Sequence, residues 1–200
     1  MKMTMTTQTT TKTKATTKPI PELPANPFTF EVLELASKQR TKAKKIEVLQ
    51  KYGHDSIKAV LIWNFDESVI SLLPQGDVPY NSYEDTATQS GSLSDKIKDA
   101  VDAIDRTGAN SMGATDDGRG RIRSSIMKEW TKFYNFIKGG NDGMSSLKRE
   151  SMFINILEML HPKDAEILVL VKDKQLQSKY RLTQEIVAGA YPDIQWGGRS

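Results

Sequence analysis

The stretch SSLKRESMFINILEMLHPKDAEILVLVKDKQL, residues 145–176, holds the densest apolar material in the chain together with one of its two histidines. Its reading decides the fold. Ser145 or Ser146 is placed to cap a helix. Phe153, Ile156, Leu157 and Leu160 form one face of that helix at 3.6-residue spacing, Met152, Ile154 and Met159 widen it, and Lys148, Glu150, Asn155 and Glu158 remain for solvent. A helix apolar over most of its circumference belongs in the centre of a domain. His161 and Pro162 break the run. Asp164 and Glu166 in the next first turn, with Lys172 and Lys174 in the last, complement the dipole of a second helix. Periodicity alone leaves a rival, since EILVLV (166–171) also suits a buried strand. The proline start and the charged ends favour the helix.

Outward from this stretch, the amino-terminal side reads as a series of brief helices. In NPFTFEVLELASKQ, Asn26 is the expected cap and Pro27 the first helical residue, with Phe28, Val32, Leu35 and Ala36 on one face. TKAKKIEVLQKYG follows with Ala43, Ile46 and Leu49 or Gln50 in register and Gly53 as the stop. A third helix is expected from Asp55 through SIKAVLIWNF, and a short fourth in DESVISLL before Pro74. A long helix is expected over 120–138, burying Ile122, Ile126, Trp130, Phe133 and Ile137 and ending at GGNDG. Residues 75–120 are rich in Gly, Ser, Thr and Asp around one amphipathic segment, LSDKIKDAVDAI. A last helix starts near Thr183 and stops before Pro192. The expectation is an all-α fold, a compact bundle of about 7–8 short helices with local contacts. Residues 1–25, rich in Thr, Lys and Pro, form a tail with too few apolar side chains to offset its ordering entropy. Residues 26–194 form a single helical domain with a loop-rich middle, and residues 195–200 a carboxy-terminal tail.

Composition removes whole classes of chemistry. The 200 residues contain no cysteine, so there is no disulfide, thiolate nucleophile or cysteine-held metal, and a reducing compartment fits. The longest apolar runs fall far short of the roughly 20 residues of a membrane helix, and the first residues lack the apolar segment of a secretory signal. No membrane association is expected. The glycine pair of GANSMGAT has phosphate-loop spacing, but Ala114 stands where the lysine must be and no strand precedes it. Glu158 and His161 make one Glu-x-x-His unit where a di-iron bundle needs two, since Lys51 stands three residues before His54. Asp116 and Asp117 lack the alternating acids and closing glutamate of a calcium loop. No catalytic, metal or cofactor-binding residue is assigned, and no enzyme is expected.

Two basic clusters survive as candidate nucleic-acid contacts: Lys38, Arg40, Lys42, Lys44 and Lys45 in SKQRTKAKK, and Arg119, Arg121 and Arg123 in GRGRIR. Their cations could neutralise phosphates, and Trp130 and Tyr134 lie near enough in sequence to suggest base stacking. The net charge of +3 is too small to decide the matter. Hydrated helix lysines and a buried aromatic stripe explain the same residues.

Residues 26–80 and 130–193, above all LLPQGDVPY, KRESMF, HPKDAEIL and VKDKQL, resemble an uncharacterised family of small proteins from tailed bacteriophages, notably contractile-tailed phages of marine cyanobacteria. The tail and residues 81–129 depart from that pattern, so GRGRIR gains no support from it. The resemblance implies a phage origin and carries no functional residue. In that setting the first expectation is a noncatalytic adaptor or assembly protein acting in the host cytoplasm or on the virion through a phage or host protein. Its candidate contact surfaces are the polar faces of the two central helices, the LLPQGDVPY loop and the tail. The alternative is an accessory of DNA or RNA metabolism.

Overall fold

The computed structural model describes residues 20–80 and 124–199. The tail before residue 20, the amphipathic segment 93–104, Ile122 and the arginines at 119, 121 and 123 lie outside the described residues. Among the described residues eight α-helices follow in order: α1 (Thr29–Lys38), α2 (Lys42–Lys51), α3 (Asp55–Phe65), α4 (Ile126–Glu129), α5 (Ser146–Met159), α6 (Pro162–Lys172), α7 (Leu176–Lys179) and α8 (Gln184–Ala190). A 3-10 segment (Trp130–Phe136) continues α4. The fold is all-α. Among the described residues the only ladder contact outside helices is an isolated antiparallel bridge between Ser71 and Ile137.

The opening stretch forms the centre. EILVLV lies within α6, which packs against α1, α3 and α5 and buries Ala165, Ile167, Leu168, Val169 and Val171. In α5, Phe153, Ile156 and Leu157 are buried, with Leu160 just beyond, and Ser145 Oγ caps the first turn by accepting from Lys148 N–H. α2 packs between α1 and α8 on one flank. Helix α8 follows Thr183 as expected, burying Ile186, Val187 and Ala190.

Four local expectations are corrected. Helix α1 starts at Thr29, with Phe28 rather than Asn26 at the cap. Two carboxylates satisfy N–H groups at its start, one from within the helix and one from α6: Glu31 Oε2 accepts from Phe28 N–H at 2.8 Å, and Asp164 Oδ1 accepts from Phe30 N–H at 2.9 Å. Helix α3 is capped by His54, whose Nδ1 accepts from Ser56 N–H at 3.1 Å, while Asp55 sits in the first turn.

DESVISLL is not helical: Glu67 and Ser68 form a turn, and Ser71 beyond it enters an isolated bridge with Ile137. Its backbone groups pair across the chain, with Leu72 N–H donating to Phe136 O at 2.8 Å and Ile70 O accepting from Lys138 N–H at 2.9 Å. The fourth correction is the long helix over 120–138. It is α-helical for one turn, then 3-10, because its carbonyls are taken by partners that the α-helical ladder would not supply. Asn135 Nδ2 donates to Lys132 O at 2.8 Å, and buried Arg149 donates through Nε to Asn135 O at 2.7 Å. The chain then reverses at Gly139 and Gly140. A Cβ at Gly140 would lie 1.9 Å from Tyr134 O, so only glycine fits.

Candidate functional site

The first basic cluster wraps the end of α1 and the start of α2, and most of its cations have partners within the protein. Lys38 pairs with Glu34 at 3.4 Å, Lys42 pairs with Glu185, and buried Lys45 donates to Arg181 O. Lys44 lies in the first turn of α2, where its N–H donates to Thr41 Oγ1 at 3.3 Å, and Arg40 is exposed in the connection between α1 and α2. The second cluster lies outside the described residues. Trp130 is half-buried and Phe133 buried in the core.

His161 caps α6. Its Nδ1 accepts from Lys163 N–H at 3.1 Å, and its buried ring stacks on Phe30, with centroids 4.5 Å apart, and lies against Phe28 at 5.2 Å. Burial, reinforced by nearby Lys163, lowers its pKa to about 3, so the ring is neutral at ordinary pH. Asp164 is fully buried one turn on, and burial raises its carboxyl to about 7 despite the bond from Phe30 N–H, with nearby Glu31 pushing the same way. Its Oδ2 has no hydrogen-bond partner among the described residues. These groups serve to join α1 to α6. Among the described residues no three His, Asp or Glu side chains are grouped so as to hold a metal ion.

An aromatic cluster supplies the more open surface. Trp63 of α3 lies parallel to Phe136, with centroids 6.1 Å apart, and 5.5 Å from Phe133. Phe136 meets Phe153 edge-on at 5.2 Å. Over this floor Ile62, Val69, Trp130, Tyr134 and Ile137 surround a cleft of about 260 Å³. Tyr134 is 52% exposed at its edge, and Ile70, next to Val69 in the chain, is 44% exposed. The 3-10 geometry is what brings this about, because with three residues per turn Trp130, Phe133 and Phe136 share one row while Tyr134 turns outward. The indole Nε1–H of Trp63 is buried and has no partner among the described residues. Such a donor carries a penalty of about 1–3 kcal/mol until an acceptor reaches it. Arg199 closes one end of the cleft. Its guanidinium pairs with Asp66, whose carboxylate also accepts from Gly197 N–H at 3.1 Å and from Ser68 N–H at 2.9 Å. Burial opposes ionisation of Asp66, yet these donors hold it below the usual carboxylate range.

A second built feature is the LLPQGDVPY loop. The ammonium of Lys172, 3% exposed, donates to Pro74 O at 2.9 Å and Gly76 O at 2.7 Å, and pairs with Asp173 at 2.8 Å. Gly76 N–H donates back to Asp173 Oδ2 at 3.1 Å. Gly76 takes φ +93°, a conformation in which glycine is strongly favoured. The loop thus held forms one wall of a cleft of about 100 Å³ against α5, lined by Leu73, Val78, Phe153 and Ile154 with Asp77 and Glu150.

Sequence reasoning missed Trp63 as part of a surface, and it read Lys172 only as a helix-end charge that complements the dipole. A lysine at the carboxy end of a helix reads the same whether water or a returning loop receives it. No helix of the described residues is long and apolar enough to cross a membrane. Comparison with curated proteins and with solved structures gives no significant match. The model of one protein family, described as a family of unknown function, DUF6433, matches two overlapping segments, residues 32–112 and 107–178. These include most of α1 and all of α2 to α6, which carry most of the core and nearly all of the lining of both clefts, and together they take in well over half of the chain. The chain therefore belongs to the DUF6433 family, a family of unknown function.

Proposed function

We propose that this protein is a noncatalytic helical adaptor or assembly protein of a contractile-tailed bacteriophage, which works by binding a phage or host protein through the aromatic cleft beside Tyr134. The observation that carries this reading is an apolar cleft with an exposed aromatic edge and a buried indole donor lacking an acceptor. Aromatic residues are enriched where protein partners anchor, and a partner side chain with a neighbouring carbonyl would fill the cleft and satisfy Trp63. Small-molecule pockets run from about 300 to 1,000 Å³, larger than this cleft. The resemblance of residues 26–80 and 130–193 to small phage proteins supports the setting, in the host cytoplasm or on the virion.

Affinity capture from infected cells tests the reading. Wild-type bait should retain a specific protein that Tyr134→Ala bait of equal helicity loses. Equal retention by both, or no specific protein on either, overturns it. The rival, a nucleic-acid accessory, rests on exposed Arg40 and on arginines outside the described residues, while the pairing of Lys38 and Lys42 with acids weighs against it. A mobility-shift complex at low salt that weakens steeply as salt rises would replace the adaptor reading with this one.

A further inference from the structure

We infer that the cleft between the LLPQGDVPY loop and α5 is a second docking site, and that it takes a peptide segment presenting one aliphatic side chain flanked by lysine or arginine. Its floor is apolar, made by Leu73, Val78, Phe153 and Ile154, and at about 100 Å³ it has room for one anchoring side chain and not for a cofactor.

Its charge has one sign. Three ionisable residues line it, Asp77, Glu150 and Lys172, and the ammonium of Lys172 is consumed by Asp173 and by two loop carbonyls. That leaves Asp77, exposed, and Glu150, half-buried, to set the field at the mouth. A basic flank on the incoming segment meets both, whereas an acidic flank is repelled.

The site is also preformed. Lys172 fixes Pro74 O and Gly76 O, and Asp173 fixes Gly76 N–H, so the loop wall does not have to be ordered when a segment binds. Preformed walls, an apolar floor and a uniform charge at the mouth are the features by which a groove selects one kind of segment. This site differs in residues and in charge from the aromatic cleft, so it gives an adaptor a second, independently addressed contact.

Two blocked pentapeptides, Gly-Lys-Leu-Lys-Gly and Gly-Glu-Leu-Glu-Gly, titrated into the full chain and followed by the methyl signals of Leu73, Val78 and Ile154, provide the test. The lysine peptide should shift these signals and bind about tenfold more tightly than the glutamate peptide, a difference of about 1.4 kcal/mol. Asp77→Asn with Glu150→Gln, at side chains with no hydrogen bond among the described residues, should erase the preference. The charge-reversed pair Asp77→Lys with Glu150→Lys should invert it. Tyr134→Ala should change neither affinity, which separates this site from the aromatic cleft. Equal affinity for the two peptides, shifts confined to residues outside the cleft, or no shift at millimolar peptide would overturn the inference.

Discussion

At its amino-terminal end α6 buries His161 and Asp164 with no opposite charge bonded to either, whereas at its carboxy-terminal end it buries Lys172 among two backbone carbonyls and a carboxylate. All three side chains are buried. The first end lowers the burden of burial by favouring the neutral form of each group, the second by supplying opposite charge and acceptors for a charge that stays. The outcome follows from what each end must hold. The amino-terminal groups each serve a helix start, where one lone pair on a neutral or ionised side chain is enough. The carboxy-terminal group must gather the carbonyls of a returning loop, and only a multiple donor such as an ammonium can reach several at once.

The largest effect should come from breaking the charged end. Lys172→Met leaves Asp173 unpaired and the carbonyls of Pro74 and Gly76 without a donor, and should lower stability by about 3–5 kcal/mol in denaturant unfolding. A loss below about 1 kcal/mol would mean that water replaces the ammonium freely. Arg149 makes the same kind of contact elsewhere, donating to the carbonyls of Asn135, Asn141 and Met144 at 2.7–3.0 Å. Arg149→Met should lower stability by about 2–3 kcal/mol and release the 130–144 segment, visible as faster amide exchange there.

The neutral end should show itself in pH dependence. A carboxyl raised to about 7 from its usual 3.8 stabilises the fold fully below pH 3.8, and that contribution is lost as pH rises towards 7. An imidazole lowered to about 3 from 6.5 acts in the opposite sense, stabilising fully above pH 6.5 and losing that contribution as pH falls. Between about pH 4 and 6.5 the two slopes oppose one another, with Glu31 and Lys163 as the charged neighbours common to the site.

Asp164→Asn should therefore leave the histidine slope alone, with stability falling by up to about 1.4 kcal/mol per pH unit on acidification below 6.5. His161→Asn, which keeps an acceptor for Lys163 N–H, should give the reverse slope, falling as pH rises from 4 to 7. Thermal unfolding across that range distinguishes the three proteins, and parallel curves would refute the account of this end. The smallest effect belongs to the exposed aromatic edge. Tyr134→Ala should change stability by less than about 0.5 kcal/mol while removing partner retention, because its ring is half outside the core.

How much of this was legible in sequence depends on where each backbone group finds its partner. The pattern of α5 and α6 could be read directly, because Phe153, Ile156 and Leu157, and Ile167, Leu168 and Val171, follow a helical period over several turns and their ends carry local caps. Asn26 and Pro27 also formed a sound local signal, yet Asp164, over a hundred residues away, supplies the oxygen that starts α1. DESVISLL and the 3-10 segment each read as helix and each exchange helical bonds for long-range ones, with Leu72 and Ile70 bonded across to Phe136 and Lys138. The aromatic cleft depends on those exchanges. Had residues 130–138 stayed α-helical, Tyr134 would join the row of Trp130 and Phe133, and Phe136 would leave it, away from Trp63.

By itself the sequence determined that this protein is all-α, that residues 145–176 supply its centre, and that a thiol or a disulfide has no part in it. Those properties follow from apolar spacing and composition, which act over a few residues. Only the tertiary structure decided where α1 begins, that 66–73 is not helical, that Lys172 and Arg149 are buried ties and not surface charges, and that Trp63 lines a cleft with its donor unmet among the described residues. The physical reason is that a hydrogen-bonding group will take any well-placed acceptor or donor, and the one it takes is set by packing between elements distant in the chain.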